Sequence, residues 1–161
     1  MSARRMHLGA HFPGVNQTTI WNRPESGSQI DPASFTHFAQ SAERGLMDLV
    51  FLAEGLRLRE HAGEIHDLDV VGRPDTLVQL AQLARQTSHI GLIATLSTTF
   101  NEPVEFARQL ATLDALSDGR AGWNLVTSHD AFFGANFRRG GYLADEDRYE
   151  RARAFADIAI A

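Results

Sequence analysis

Four times along this chain a short apolar run gives way to an amphipathic helical pattern, and that alternation is what most limits the fold. Met6 to Phe12 reads as a first strand, ending at Pro13-Gly14. Asp31-Pro32 opens a helix with Phe35, Phe38, Ala39 and Ala42 on one face, and Gly45 stops it. Asp48 to Ala53 is a continuous apolar run, as expected of a strand buried on both faces. Pro74-Asp75 precedes a second helix with Leu77, Leu80, Ala81 and Ala84 in register, and Ile90 to Thr95 is the third strand. Asn101 and Pro103 start a third helix striped by Phe106, Leu110 and Leu113 and ended by Asp118-Gly119. Arg120 to Leu125 is the fourth strand, and Asp145 begins a fourth helix with Tyr149, Ala152, Phe155 and Ala156 on its inner side.

Helices between consecutive strands require parallel strands. The segments before strands are short and those after strands are long, which puts chemistry at the strand C-termini, as in a TIM barrel. A doubly wound sheet stays open as an alternative, but no Gly-x-Gly-x-x-Gly follows the first strand, so its dinucleotide-binding form has no support. Four βα units are half of a (β/α)8 barrel. The last helix runs to Ala161 without a stop signal, so residues 1–161 read as one partial domain, the N-terminal half of a TIM barrel cut at its C-terminus.

Composition removes several chemistries. The chain has no Cys, and its 15 basic residues are all Arg. Thiolate ligands, Schiff-base lysines and a P-loop lysine are therefore excluded. A net charge of −5 argues against nucleic acid, and the pair Arg138-Arg139 is too small a basic patch to reverse it. No apolar run approaches the roughly 18 residues of a membrane span, and nothing after Arg4-Arg5 resembles a signal peptide. The expectation is a cytoplasmic protein.

The stretch Gly119 to Asp130 carries the strongest functional signal. It runs through a strand into Asn124, Thr127, Ser128 and His129, which bring amide, hydroxyl and imidazole groups to a strand end. The run Ala94-Thr95-Leu96-Ser97-Thr98-Thr99 ends the third strand; its hydroxyls either meet a ligand or reflect β propensity. Glu54 stands at the mouth of the second strand, either accepting from a ring N–H or a neighbouring Arg, or partly solvated. His7 and His11 would share a strand face, and His61, His66 and Asp67 lie in one loop, but neither set has metal-ligand spacing, so no metal is expected. Asp145-Glu146-Asp147 at a helix start complements the helix dipole.

These residues resemble the bacterial-luciferase-like flavin monooxygenases, in the branch holding nitrilotriacetate monooxygenase component A, dibenzothiophene-sulfone monooxygenase and long-chain alkane monooxygenase. The resemblance lies in Phe51 to Glu54, Ala94 to Phe100, Gly119 to His129 and Glu146 to Ala152, with a looser match at Trp21-Asn22-Arg23-Pro24-Glu25. It implies a TIM barrel holding FMN at its strand C-termini, with Ser128 and Tyr149 against the flavin and Asn124 and Thr95 nearby. Glu54 falls where the family usually has Asp, one methylene shorter, and His129 where alkane-oxidising members place a catalytically important His. The implied reaction uses reduced FMN and O2 to oxygenate a small organic substrate, an alkane, an organosulfur compound or an aminopolycarboxylate. The reduced flavin would come from a separate NAD(P)H-dependent flavin reductase, and full-length relatives commonly self-associate. Two rivals remain: a non-catalytic flavin-binding or inactive fragment, and an F420-dependent oxidoreductase of the same superfamily; the Trp123-Asn124 segment favours FMN.

Overall fold

A computed structural model describes residues 6–12, 28–56, 60–61, 64–65, 72–128, 134, 137 and 144–161. Its main sheet holds β1 (Gly9–His11), β2 (Leu49–Leu52), β5 (Gly91–Ser97) and β6 (Ala121–Val126), all parallel and in that spatial order. The helices α1 (Pro32–Arg44), α2 (Thr76–Ala84) and α3 (Pro103–Leu116) connect consecutive members, and α4 (Asp145–Ile160) follows β6. The sheet and its connections are those read from the alternation. Between β2 and α2 lies a short antiparallel pair, β3 (Glu60–His61) with β4 (Glu64–Ile65), inside a segment whose sequence reads as loop.

Local chemistry sets the helix starts. Asp31 and Asp75 cap α1 and α2, their carboxylates accepting from the Ala33 and Val78 N–H groups at 2.9 Å in both cases. Pro103 opens α3, but Asn101 does not cap it; its amide donates to the Ser97 carbonyl at 2.8 Å and ties the loop to β5. The stop of α1 also differs from expectation. Gly45 has φ −78°, and the left-handed position falls on the next residue, Leu46, with φ 57°. Glycine is needed at 45 for closeness, since a Cβ there would lie 3.3 Å from the Ser41 carbonyl oxygen.

Register explains where the core sits. Ala10, Val50, Leu92 and Ala121 pair across the sheet and face the helices, where Val50 and Leu92 are fully buried against α1 and α2 residues. A second cluster joins Leu96, Phe106 and Phe155, with the Trp123 ring 4.6 Å from Phe106 and 5.7 Å from Phe155. The next row, His11, Phe51, Ile93 and Gly122, faces the opposite side. Phe51 and Ile93 are only half-buried, so β2 is covered on one face among the described residues and not on both.

Two side chains pin the turns at the strand N-terminal end, and neither announced itself in the sequence. One Glu43 carboxylate oxygen accepts from the Ser88, His89 and Ile90 N–H groups at 2.8, 2.6 and 3.0 Å. Arg120 donates to the Ser117, Ile90, Ala84 and Thr87 carbonyls and to the Thr87 hydroxyl, at 2.7 to 3.1 Å. These bonds lock the α2–β5 and α3–β6 turns together and leave the other end of the sheet for chemistry.

Candidate functional site

At the C-terminal end of the sheet, polar groups from three strands meet. Thr95 on β5 pairs in register with Asn124 on β6, and the Asn124 amide donates to the Thr95 hydroxyl at 3.1 Å. Two residues past Thr95 and four past Asn124, the Ser128 hydroxyl donates to the Ser97 hydroxyl at 2.7 Å. Ser128 holds a φ of 45°, a left-handed conformation uncommon for a non-glycine residue.

Ser97 is the junction of this end. Its hydroxyl meets Ser128, its carbonyl accepts from Asn101, and its N–H favours the charged form of the Glu54 carboxyl, two residues past β2. The sequence signal for Ser97 was its place in the hydroxyl run, two residues from Thr95 on the same face. Thr98 and Thr99 serve structure instead, donating to the Val126 and Thr127 carbonyls. The run thus divides by position.

Glu54 is half-buried with its Oε2 out of solvent, and no Arg partners it among the described residues. Burial, with the Asp75 charge second, pushes its carboxyl up to about 7, against the opposing pull of the Ser97 N–H. Its Oε2 is buried and meets no hydrogen-bond partner among the described residues. A buried, unpartnered oxygen calls for a partner, which a ligand at the strand mouth would supply. On β1 the His11 ring lies tilted against Phe51, 5.0 Å between centroids. Burial and then the Arg73 charge hold that imidazole below its ordinary range, so it is neutral at pH 7. His7, expected to share its face, turns instead to Asp48, with 3.2 Å between Nδ1 and Oδ1.

The fourth helix buries Ala152 and Phe155 as expected, but not Tyr149. Arg148, Ala152 and Phe155 are buried, whereas Tyr149 stands 69 % exposed. The helix reaches the site through Arg151, which donates to the Thr98 and Asn101 carbonyls at 2.9 and 3.2 Å. Of the expected site residues, Glu54, Thr95, Asn124 and Ser128 come together at one end of the sheet. His129 and the Trp21 to Glu25 segment lie outside the described residues, as do His66 and Asp67. Among the described residues no group of three His, Asp or Glu side chains is placed to hold a metal.

The hydroxyls of Thr95, Ser97 and Ser128, the Asn124 amide and the Glu54 carboxyl offer both donors and acceptors to the edge of a polar heterocycle. The orphaned Glu54 Oε2 is the observation that fits such a ring.

Along nearly its whole length the chain is similar to known proteins. Residues 11–159 match the model of the luciferase-like monooxygenase family. The chain is 38 % identical over 158 residues to the N-acetyl-S-(2-succino)cysteine monooxygenase of Bacillus subtilis (strain 168), covering 96 % of this chain and 35 % of that protein. It is 36 % identical over 162 residues to the nitrilotriacetate monooxygenase component A of Aminobacter aminovorans, covering 94 % and 34 % of the two. Among solved structures it superposes with a TM-score of 0.82 on a riboflavin lyase crystallised with modified FMN and its substrate riboflavin, at 29 % identity over 97 % of this chain and 37 % of that one. The chain therefore spans about a third of the length of the curated relatives it matches.

Proposed function

Because this chain belongs to the luciferase-like monooxygenase family, we propose that its strand-end cluster is one wall of an FMN site in a two-component monooxygenase. The observation that carries the reading is the convergence of Glu54, Thr95, Ser97, Asn124 and Ser128 at the C-terminal end of one parallel sheet. In this reading the described strands belong to a single luciferase-like barrel domain. When bound, reduced FMN supplies the electrons with which O2 is activated to oxygenate a small organic substrate of the alkane, organosulfur or aminopolycarboxylate class.

The residues of this chain bind, orient and move protons. Asn124 and Thr95, already bonded to each other, fix the ring edge against β5 and β6, and Ser128 holds its hydroxyl above Ser97. Tyr149, exposed on α4, reaches the flavin from the helix side. His129 would exchange a proton with the reacting group, a role that suits imidazole because its unperturbed pKa of ~6.5 is close to neutrality. The reduced flavin arrives from a separate NAD(P)H-dependent reductase, and the working form is a cytoplasmic homo-oligomer. None of the described helices is long and apolar enough to cross a membrane.

A fluorescence titration of FMN against the chain, with F420 as competitor, tests the reading. FMN should bind, F420 should fail to displace it, and a Ser97→Ala, Ser128→Ala double variant should bind FMN about tenfold less tightly, the loss expected of one or two polar contacts. Displacement by F420, or equal FMN affinity in the double variant, would contradict it.

A further inference from the structure

The oxygen of Glu54 that meets nothing has a consequence for what this position does to a ligand. The carboxyl stands two residues past β2, and the Ser97 N–H dipole favours its charged form without outweighing burial. One of its oxygens, Oε2, is buried without a partner among the described residues. The charged groups around it give an ionised carboxylate little help. Asp75, at the start of α2, is negative and raises the carboxyl further. Arg73 lies against Gly55, where an added Cβ would sit 3.3 Å from its Cδ, and its charge lowers the His11 imidazole on β1. The nearby side chains of β5 and β6 are hydroxyls and an amide.

We propose that Glu54 works as a neutral carboxylic acid, with its proton on the buried Oε2 donating a hydrogen bond to a carbonyl oxygen of the bound flavin ring. The donor role rests on the flavin reading above; the neutral state does not. A carboxylate at this position could only accept, for example from a ring N–H, so the two states address opposite partners on the same heterocycle. The donor is available below the midpoint near 7 and is lost as pH rises through it. A glutamine in the same place would keep a donor, through its amide.

Two measurements on the chain test this. The first is the pH titration of glutamate side-chain carboxyl carbons by 13C NMR, on the native sequence and on Glu54→Gln. One glutamate should titrate near 7, and that signal should vanish in the variant. The second is riboflavin binding across pH 5.5 to 8.5. Riboflavin lacks the phosphate, whose own titration near pH ~6 would otherwise intrude. Binding should weaken about thirtyfold over that range in the native chain and stay flat in Glu54→Gln, because each pH unit above the midpoint leaves about a tenth as much acid. If every glutamate titrates in the ordinary range, the proposal is overturned whatever the flavin does. If Glu54 titrates near 7 but riboflavin binding rises with pH or ignores it, the donor role is overturned while the flavin reading stands. If riboflavin and FMN both fail to bind at any pH, the flavin reading falls and takes the donor role with it.

Discussion

The Ser128 hydroxyl donates to the Ser97 hydroxyl at 2.7 Å from a backbone held at φ 45°, so one residue carries both a site contact and local strain. The two effects separate by substitution. Ser128→Ala loses the hydrogen bond and keeps the strain, costing about 1 kcal/mol. Ser128→Gly loses the same bond but adopts the left-handed conformation freely, so it should be the more stable of the two by about 0.5–1 kcal/mol. Urea unfolding of the two variants decides this; an alanine variant as stable as the glycine one would mean that the turn relaxes.

Arg120 is the heaviest structural commitment at the other end of the sheet. Five donors reach carbonyls of two turns and one hydroxyl, and a shorter apolar side chain would orphan part-buried acceptors. Arg120→Leu should lower stability by about 2–4 kcal/mol, and Arg120→Lys should recover little of it, because an ammonium cannot span both turns. Denaturant midpoints measured with unchanged slopes provide the check.

Leu46 is 86 % exposed and sits at φ 57°, a position that suits Asn or Gly better than a branched apolar residue. Leu46→Asn should raise stability by about 0.5–1 kcal/mol without touching the site. Thermal unfolding should show a midpoint higher by a few degrees; an unchanged or lower midpoint would show that the exposed leucine makes a contribution through another contact.

Stability should fall with pH around Glu54 and rise around Glu43. Glu54 has its folded pKa raised to about 7 from 4.5, so the folded state binds the proton more tightly than the unfolded one. Its contribution is whole below 4.5 and is lost as pH climbs through 7, by at most about 3 kcal/mol. Glu43 runs the other way. Burial alone would raise it, but the His89, Ile90 and Ser88 N–H groups together hold it below the ordinary carboxylate range. Its contribution is present above that range and lost as pH falls. Glu54→Gln should therefore flatten the neutral side of the pH–stability curve and Glu43→Gln the acid side. Unfolding free energies collected from pH 3 to 8 test both signs.

The alternation of periodicities was enough to place every strand of the main sheet, because parallel βα units leave a period of two and a period near 3.6 in turn. Thr95, Asn124, Ser128 and Glu54 were legible for the same reason, each being polar at an apolar strand's end. What stayed hidden depends on contacts far apart in sequence. Nothing around Glu43 marks it as the cap of residues 88–90, and nothing around Arg120 marks five acceptors drawn from two separate turns. Tyr149 was misplaced because Arg148 and Tyr149 compete for one helix face, and an apolar reading of the pattern favours the ring. The structure buries the guanidinium instead. The partial burial of Phe51 shows the limit of composition, since an apolar run signals two covered faces whether or not the described chain supplies both.

The central claim, that the strand C-terminal ends form a flavin site, is tested most directly by mapping backbone amide shifts in 15N-labelled chain as FMN is added. The account predicts saturable shifts at Glu54, Thr95, Ser97, Asn124 and Ser128, with the turns around Glu43, Ser88 and Arg120 unmoved. Shifts centred on those turns, or spread evenly over the sheet without saturation, would contradict it.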